Sequence, residues 1–336
     1  MSDDLRRRGL RVGLDQAGRR LDQVLADAFP EFSRSRIQTW INDGRVQVDG
    51  AARRCRDKLK AGEEVVLDPI AEPDGKLVAQ PIPLRVVFED DAILVVDKPA
   101  DLVVHPAAGN PDGTLLNALL HHAPELARLP RAGLVHRLDK DTTGLLVVAK
   151  TLTAHRSLVA QLHERTVRRE YRALVTGVVV AGGRVDAPIG RHPVQRTRMA
   201  VVRDGRPAVS HYRVLERFSG HTLLAVRLET GRTHQIRVHM AHIRHPLVGD
   251  PLYGGRVRVP KGTLPQAAAA LTAFPRQALH AIALGLTHPV SGAPLHFEVP
   301  LAADLAGLLT CLREEPADDA SGDGLDRAEL AGAARR

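Results

Sequence analysis

Cysteine is scarce: Cys55 and Cys311 are the only two among 336 residues. They lie far apart and form no Cys-x-x-Cys pair, which argues against a disulfide framework or a cysteine-rich zinc site. Lysine is scarce as well, supplying seven of the 47 basic residues. The first residues, Ser2-Asp3-Asp4-Leu5-Arg6-Arg7-Arg8, have no apolar run behind them and do not read as a signal peptide. No uncharged apolar stretch approaches the roughly 20 residues that a bilayer-spanning helix needs. Internal repeats are absent too. These absences leave no membrane role and make the cytoplasm the expected location.

What remains is a chain with 44% hydrophobic residues, long enough for two domains of ordinary size. Its formal net charge is +8 and its pI about 10.0, which points to a polyanionic partner. The charge is uneven. The stretch from Arg313 to Arg336 holds seven acidic and four basic residues, a net of −3, so the preceding body carries +11. Arginine forks suit phosphate and stack on bases. An alanine-rich GC-biased gene explains the arginine preference equally well, so position has to decide.

Residues 1–14 are charged and expected to be loose. In 15–76, Leu21, Val24, Leu25 and Ala28 fall at helical spacing. Pro30 stops that helix, and Ser33 or Ser35 can cap the next, whose apolar face is Ile37, Trp40 and Ile41. Gly44 closes it, and Arg45 to Gly50 reads as a strand entering an Asp-Gly hairpin turn. Eight basic and three acidic residues lie between Arg34 and Lys60. The strings Arg20-Leu21-Asp22, Ser33-Arg34-Ser35-Arg36, Gly44-Arg45-Val46 and Val48-Asp49-Gly50 together resemble an S4 RNA-binding domain.

Residues 77–84 read as a linker and 85–312 as a second, catalytic domain, with 313–336 expected to be disordered. Strand patterns at Val86–Phe88, Ile93–Val96, Gly144–Ala149, Tyr171–Val175 and Leu223–Leu228 alternate with a few helices. One of these is capped by Thr114, another runs from Ala154 to Arg165, and Ser291-Gly292 marks a late hairpin. The expected class is α+β, with a mixed, mainly antiparallel sheet flanked by helices.

The densest chemistry lies in His136-Arg137-Leu138-Asp139-Lys140-Asp141-Thr142-Thr143-Gly144, directly before the apolar run Leu145-Leu146-Val147-Val148. A side chain at the end of a buried strand is held rigidly. A kinase catalytic loop is excluded by context, because no Gly-rich phosphate loop, Asp-Phe-Gly or Ala-Pro-Glu accompanies it. This stretch resembles the central motif of the RluA family of pseudouridine synthases. Lys98 to Pro106, Arg169-Glu170-Tyr171 and Leu228 to His239 resemble that family's flanking motifs, and the likeness runs from about Asp15 to Pro300. The string from Ala241 to Asp250, with Arg191-His192-Pro193, resembles a branch that acts on large-subunit ribosomal RNA.

The resemblance implies a pseudouridine synthase fold that isomerises uridine to pseudouridine without cofactor or metal. It implies Asp139 as the carboxylate acting at ribose C1′, Tyr171 as the phenol stacked on the target base and sharing in proton transfer, and Arg232 as the partner that aims Asp139. A developing cationic sugar needs such a carboxylate, as in glycosidases. Without the motif, Tyr171 reads equally as a core phenol and Arg232 as a surface arginine beside a glycine turn. His234, His239, His242 and His245 suggest metal, but the last three at i, i+3, i+6 spread around a helix and no partner set completes a site.

Arg34, Arg36 and Arg45 in the first domain are expected to contact RNA, as are Arg137, Arg191, Arg196 and Arg198 in the second. The last three fall in a run, Arg184 to Arg213, with seven arginines and two acidic residues. The expected partner is 23S-type ribosomal RNA or its precursor, modified at several uridines of one stem-loop by a monomer. The alternatives are the same reaction on tRNA, or a non-catalytic S4-type ribosome-assembly protein.

Overall fold

The computed structural model describes residues 7–29, 32, 34–69, 78–107, 109–195 and 197–314. The chain divides into two compact units, Met1–Lys76 and Leu77–Arg336.

The first unit packs two helices on a four-stranded antiparallel sheet. Strands β1 (Arg8–Arg11), β2 (Val46–Val48), β3 (Ala51–Ala52) and β4 (Glu64–Leu67) lie in the order β1-β4-β2-β3. Helices α1 (Leu21–Ala28) and α2 (Arg34–Asn42) supply Leu21, Leu25, Ile37 and Trp40 to a core shared with Val46, Val48 and Val65. Asp49 and Gly50 both take positive φ in the turn between β2 and β3, as a two-residue hairpin requires. Ser33 lies outside the described residues, so its capping role stands as an expectation.

The expectation of a loose N-terminus through residue 14 is corrected. Arg8 to Arg11 pair antiparallel with Leu67 to Glu64, and Val12 is buried. Four residues carry too little periodicity to announce a strand; Leu10 and Val12 order the segment by packing on the core.

Asp22 is fully buried on α1 and accepts hydrogen bonds from Arg20, Arg34 and Gln38. Arg34 therefore carries a structural duty: its Nη2 donates to Asp22 Oδ2 at 2.8 Å. Burial raises the Asp22 carboxyl, but these donors outweigh it and hold the group below its ordinary range.

The second unit is built on a nine-stranded sheet. Its strands are β5 (Val86–Glu89), β6 (Ile93–Lys98), β7 (Thr143–Ala149), β8 (Arg168–Thr176), β9 (Gly183–Asp186), β12 (Val209–Arg217), β13 (His221–Leu228), β14 (Leu279–Thr287) and β15 (Pro294–Glu298). The order is β5-β6-β7-β14-β8-β13-β12-β9, with β15 also on β14. Only β7 and β14 pair parallel; every other ladder is antiparallel. A separate ribbon joins β10 (Ile189–Arg191) to β11 (Met199–Val201).

Helices cover both faces. Leu146 and Val148 of β7 pack with α3 (Leu115–His122) and α5 (Gln235–His242). Leu145 and Val147 turn to the other face, toward α4 (Leu152–His163). On that same side Leu174 of β8 meets α6 (Pro265–Ala273) and α7 (Ala303–Arg313). All seven residues of β7 are buried, which is why it reads as a continuous apolar run rather than an alternation.

The described part of the expected 77–84 linker is fastened to this unit. Asn117 Nδ2 on α3 donates to the Val78 carbonyl at 2.8 Å, and Gln80 N–H donates to the Asn117 carbonyl at 3.0 Å. The expected disordered tail lies outside the described residues beyond 314; Arg313 belongs to α7 and pairs with Glu216. No helix among the described residues is long and apolar enough to cross a membrane.

Candidate active site

Asp139 sits on the loop that enters β7, and the loop is tied down from several sides. The buried Lys98 ammonium, at the end of β6, donates to the carbonyls of Pro99, Leu102 and Lys140 at 2.7, 2.9 and 2.8 Å. Burial depresses Lys98 to about 7, opposed by the charges of Asp141 and Asp139. Arg276 Nη1 donates to the Asp141 carbonyl at 3.0 Å, and Gln277 Nε2 donates to Thr142 Oγ1 at 3.1 Å. The loop ends at Gly144, where φ is +108° and a Cβ would stand 2.2 Å from the Ala281 carbonyl oxygen on β14. Any side chain there would push β7 off β14 and move Asp139 with it.

Across from this loop, α5 presents Arg237. Its Nη1 donates to Asp139 Oδ2 at 3.2 Å, while Nε and Nη2 donate to the two oxygens of Asp250 at 2.7 and 2.8 Å. Burial by itself would lower the proton affinity of Arg237, but Asp250 and Asp139 raise it above the ordinary arginine value. The ring of Tyr253 lies under the guanidinium, 5.1 Å away. The Tyr253 hydroxyl shares a 2.9 Å hydrogen bond with His234 Nδ1 and accepts another from Met199 N–H on β11. His234 Nε2 is 4.0 Å from Asp139 Oδ1, and burial lowers its pKa against the pull of Asp139.

His234 holds φ +56°, a left-handed conformation at the N-cap of α5. Such backbone costs roughly 1–2 kcal/mol for a side-chain-bearing residue and persists only where neighbours impose it. Gln235 supplies that restraint: its Oε1 accepts from Thr230 Oγ1 and Arg232 N–H, and its Nε2 donates to the Val209 carbonyl.

Asp139, Tyr171 and Arg232 line one cavity of about 50 Å³, together with Arg137, Arg169 and Arg237. Tyr171 points from β8 to the same face as Arg169. Burial pushes the Tyr171 phenol above its ordinary value. Asp139 also lines a larger cavity, about 260 Å³, walled by Val104, Lys140, Leu252 and Gln277. Asp139 thus borders two hollows, with 15% of its side chain exposed.

The pairing expected of Arg232 is corrected: Arg237 is the guanidinium bonded to Asp139. Arg232 lies in the turn after β13, where its Nε donates to the Pro207 carbonyl at 3.1 Å. Both arginines belong to one motif. The one on the helix projects inward; the one beside Gly231 stays at the cavity mouth. A charged residue bracketed by Ile236 and Val238, with Asp250 following, was the available signal for Arg237.

Of the RNA-contact residues, Arg137 is exposed beside the cavity, and Arg191 and Arg198 lie on or beside the β10–β11 ribbon. Arg196 lies outside the described residues. Arg34, Arg36 and Arg45 belong to the first unit, where Arg36 stacks 5.0 Å above the Trp40 ring. Two of the four candidate histidines are engaged elsewhere: His239 bonds Ser210 Oγ and the Ala187 carbonyl, and His245 bonds the Thr176 carbonyl. Among the described residues no group of three or more His, Cys, Asp or Glu could hold a metal ion.

Comparison with known proteins gives this geometry a family context. A family model described as RNA pseudouridylate synthase matches residues 92–242, and an S4 domain model matches residues 19–65. A Pseudomonas aeruginosa protein named ribosomal large subunit pseudouridine synthase D is 59% identical over 312 residues, covering 93% of this chain and 98% of the relative. The proteins of that name from Xanthomonas campestris and Escherichia coli K12 are 58% and 54% identical, each covering 90% of this chain and 91% and 94% of the relatives. Among solved structures, human RNA pseudouridylate synthase domain containing 4 is similar with a TM-score of 0.55 and 26% identity, covering 68% of this chain and 93% of its own.

Proposed function

This chain belongs to the RNA pseudouridylate synthase family, and on that premise we propose that it isomerises uridines of large-subunit ribosomal RNA to pseudouridine. The observation that carries the reading is a single carboxylate, Asp139, held by Arg237 in a cavity that also presents Tyr171.

The chemistry is one of charge placement. Breaking the N1–C1′ bond leaves positive charge at the ribose C1′, and the Asp139 carboxylate is positioned to meet it. The detached uracil rotates and rejoins C1′ through C5. The proton on C5 then leaves and N1 gains one, so the isomer has the composition of the starting uridine. Tyr171 supplies a flat face for the base. Its raised proton affinity keeps it a neutral phenol at neutral pH, which favours stacking over a role as the base. Arg237 aims Asp139, and Arg232 at the cavity mouth meets the RNA. The target uridine has to leave its stack to reach Asp139.

The S4 unit and the arginines of the β10–β11 ribbon offer sequence-independent phosphate contacts suited to a large folded RNA. Loop bases can be splayed out for recognition, so several uridines in one ribosomal stem-loop are the expected target. The enzyme is expected to act as a cytoplasmic monomer. Mapping pseudouridine across ribosomal and transfer RNA of a deletion strain tests the assignment. Loss clustered in one large-subunit loop supports it; loss confined to tRNA would contradict the substrate and leave the reaction standing.

A further inference from the structure

The catalytic cavity has a neighbour. Arg137, Arg169 and Gly231 line both it and a second hollow of about 280 Å³, which is also walled by His105, Arg131 and His136. Three arginines and no acidic residue line this second hollow.

Its buried nitrogens are unusual. His105 Nε2, His136 Nδ1 and Arg169 Nε are all buried without a hydrogen-bond partner. For His136 the missing partner is identifiable by type. Val147 N–H donates to His136 Nε2 at 3.1 Å, so the neutral ring carries its hydrogen on Nδ1. Burial and the Arg169 charge push His136 down to about 3, so the ring is neutral at physiological pH. The unpartnered Nδ1 is therefore a donor. So is Arg169 Nε, on a residue only 9% exposed. A buried donor left unsatisfied costs about 1–3 kcal/mol, and here two of them belong to side chains lining one hollow.

The backbone is arranged to keep that wall in place. Arg131 and Ala132 both hold φ +52°, left-handed conformations that side-chain-bearing residues rarely adopt. At the junction of the two hollows, a Cβ on Gly231 would stand 2.9 Å from Arg169 Nη1. Glycine is what lets that guanidinium nitrogen come so close to the chain. Positive charge, unpaired donors and no competing carboxylate together call for an acceptor that is anionic and carries several oxygens.

We propose that this second hollow is an anion subsite that takes a phosphodiester group of the RNA, close in sequence to the uridine whose ribose meets Asp139. The inference rests on the RNA-modifying reading above and deepens it. The two hollows share three lining residues, so a nucleotide in the first brings a flanking linkage to the second. A phosphate held there fixes the register of the strand without reading its sequence.

The test uses the full chain and a synthetic stem-loop RNA containing the uridines that the deletion strain fails to modify. One neutral methylphosphonate is placed in turn at each linkage within three nucleotides of the target. The protein variant is Arg131→Asn, which removes a charge outside the catalytic cavity and tolerates a left-handed backbone. RNA affinity and the single-turnover rate are measured for each combination. One linkage should weaken binding about tenfold when neutralised, and Arg131→Asn should do about the same while lowering the salt slope by about one phosphate contact. Together the two changes should weaken binding no more than either alone, and the bound rate should stay within about twofold. Losses that multiply at every linkage would overturn the subsite, as would an Arg131→Asn protein with unchanged affinity and salt slope. A loss produced by removing a neighbouring base, and cancelled by Arg131→Asn, would show a base pocket instead. RNA bound with these linkages intact but never isomerised would count against the reaction and leave the subsite in place.

Discussion

Arg237 Nη1 lies 3.2 Å from Asp139 Oδ2 while the rest of the Arg237 fork is held by Asp250. One buried guanidinium thus serves a structural carboxylate with two bonds and the reactive one with a single bond. The single bond matters: it orients Asp139 through Oδ2 and leaves its other oxygen, Oδ1, 4.0 Å from His234 Nε2.

Arg237→Gln should therefore harm both folding and catalysis. It leaves Asp250, whose side chain is fully buried, without its cation, a loss on the order of 3–5 kcal/mol. Single-turnover conversion should fall at least a hundredfold. Arg232→Gln should keep the wild-type melting temperature and lose mainly RNA affinity, because its guanidinium forms no ion pair among the described residues and bonds the Pro207 carbonyl. Equal losses of stability in the two variants would refute this division of labour.

Acid should unfold the protein early. Burial lowers His105, His136, His221 and His280 to about 4, 3, 4 and 4. Unfolded histidine titrates near 6.5. Between these values the unfolded chain binds more protons, so stability is complete above about pH 6.5 and drains as the pH falls toward 4. Each histidine contributes a slope of about 1.4 kcal/mol per pH unit in that window. Urea midpoints measured from pH 7 to 5 should drop steeply, and His221→Asn should flatten the curve by one proton. A level profile over that range would contradict these burials.

Removing residues 1–76 should leave the second unit folded, since its sheet and helices carry their own core. Filter binding of the stem-loop should then show weaker affinity and a shallower dependence on salt, because phosphate contacts are lost. Identical affinity and slope would assign the S4 unit some other task.

The catalytic sheet was readable because its strands bury both faces: Ile93 to Val96 and Leu145 to Val148 announce themselves as unbroken apolar runs. Asp139 and Tyr171 were readable from motif strings, and they do line one cavity. The partner of Asp139 was not. Arg232 and Arg237 share a motif, and 98 residues separate Asp139 from Arg237. Which arginine turns inward depends on the left-handed His234 and on the start of α5 just after it, which local spacing does not reveal. Strand β1 stayed hidden for a related reason: its order comes from pairing with β4, more than 50 residues later.

The most direct test of the central claim is Asp139→Asn in the full chain, assayed on the stem-loop RNA under single-turnover conditions. The substitution keeps size and polarity and removes the charge proposed to act at C1′. Melting temperature and RNA affinity should stay near wild type, with no pseudouridine detected. Substantial conversion by a sequence-verified Asp139→Asn protein would contradict the account.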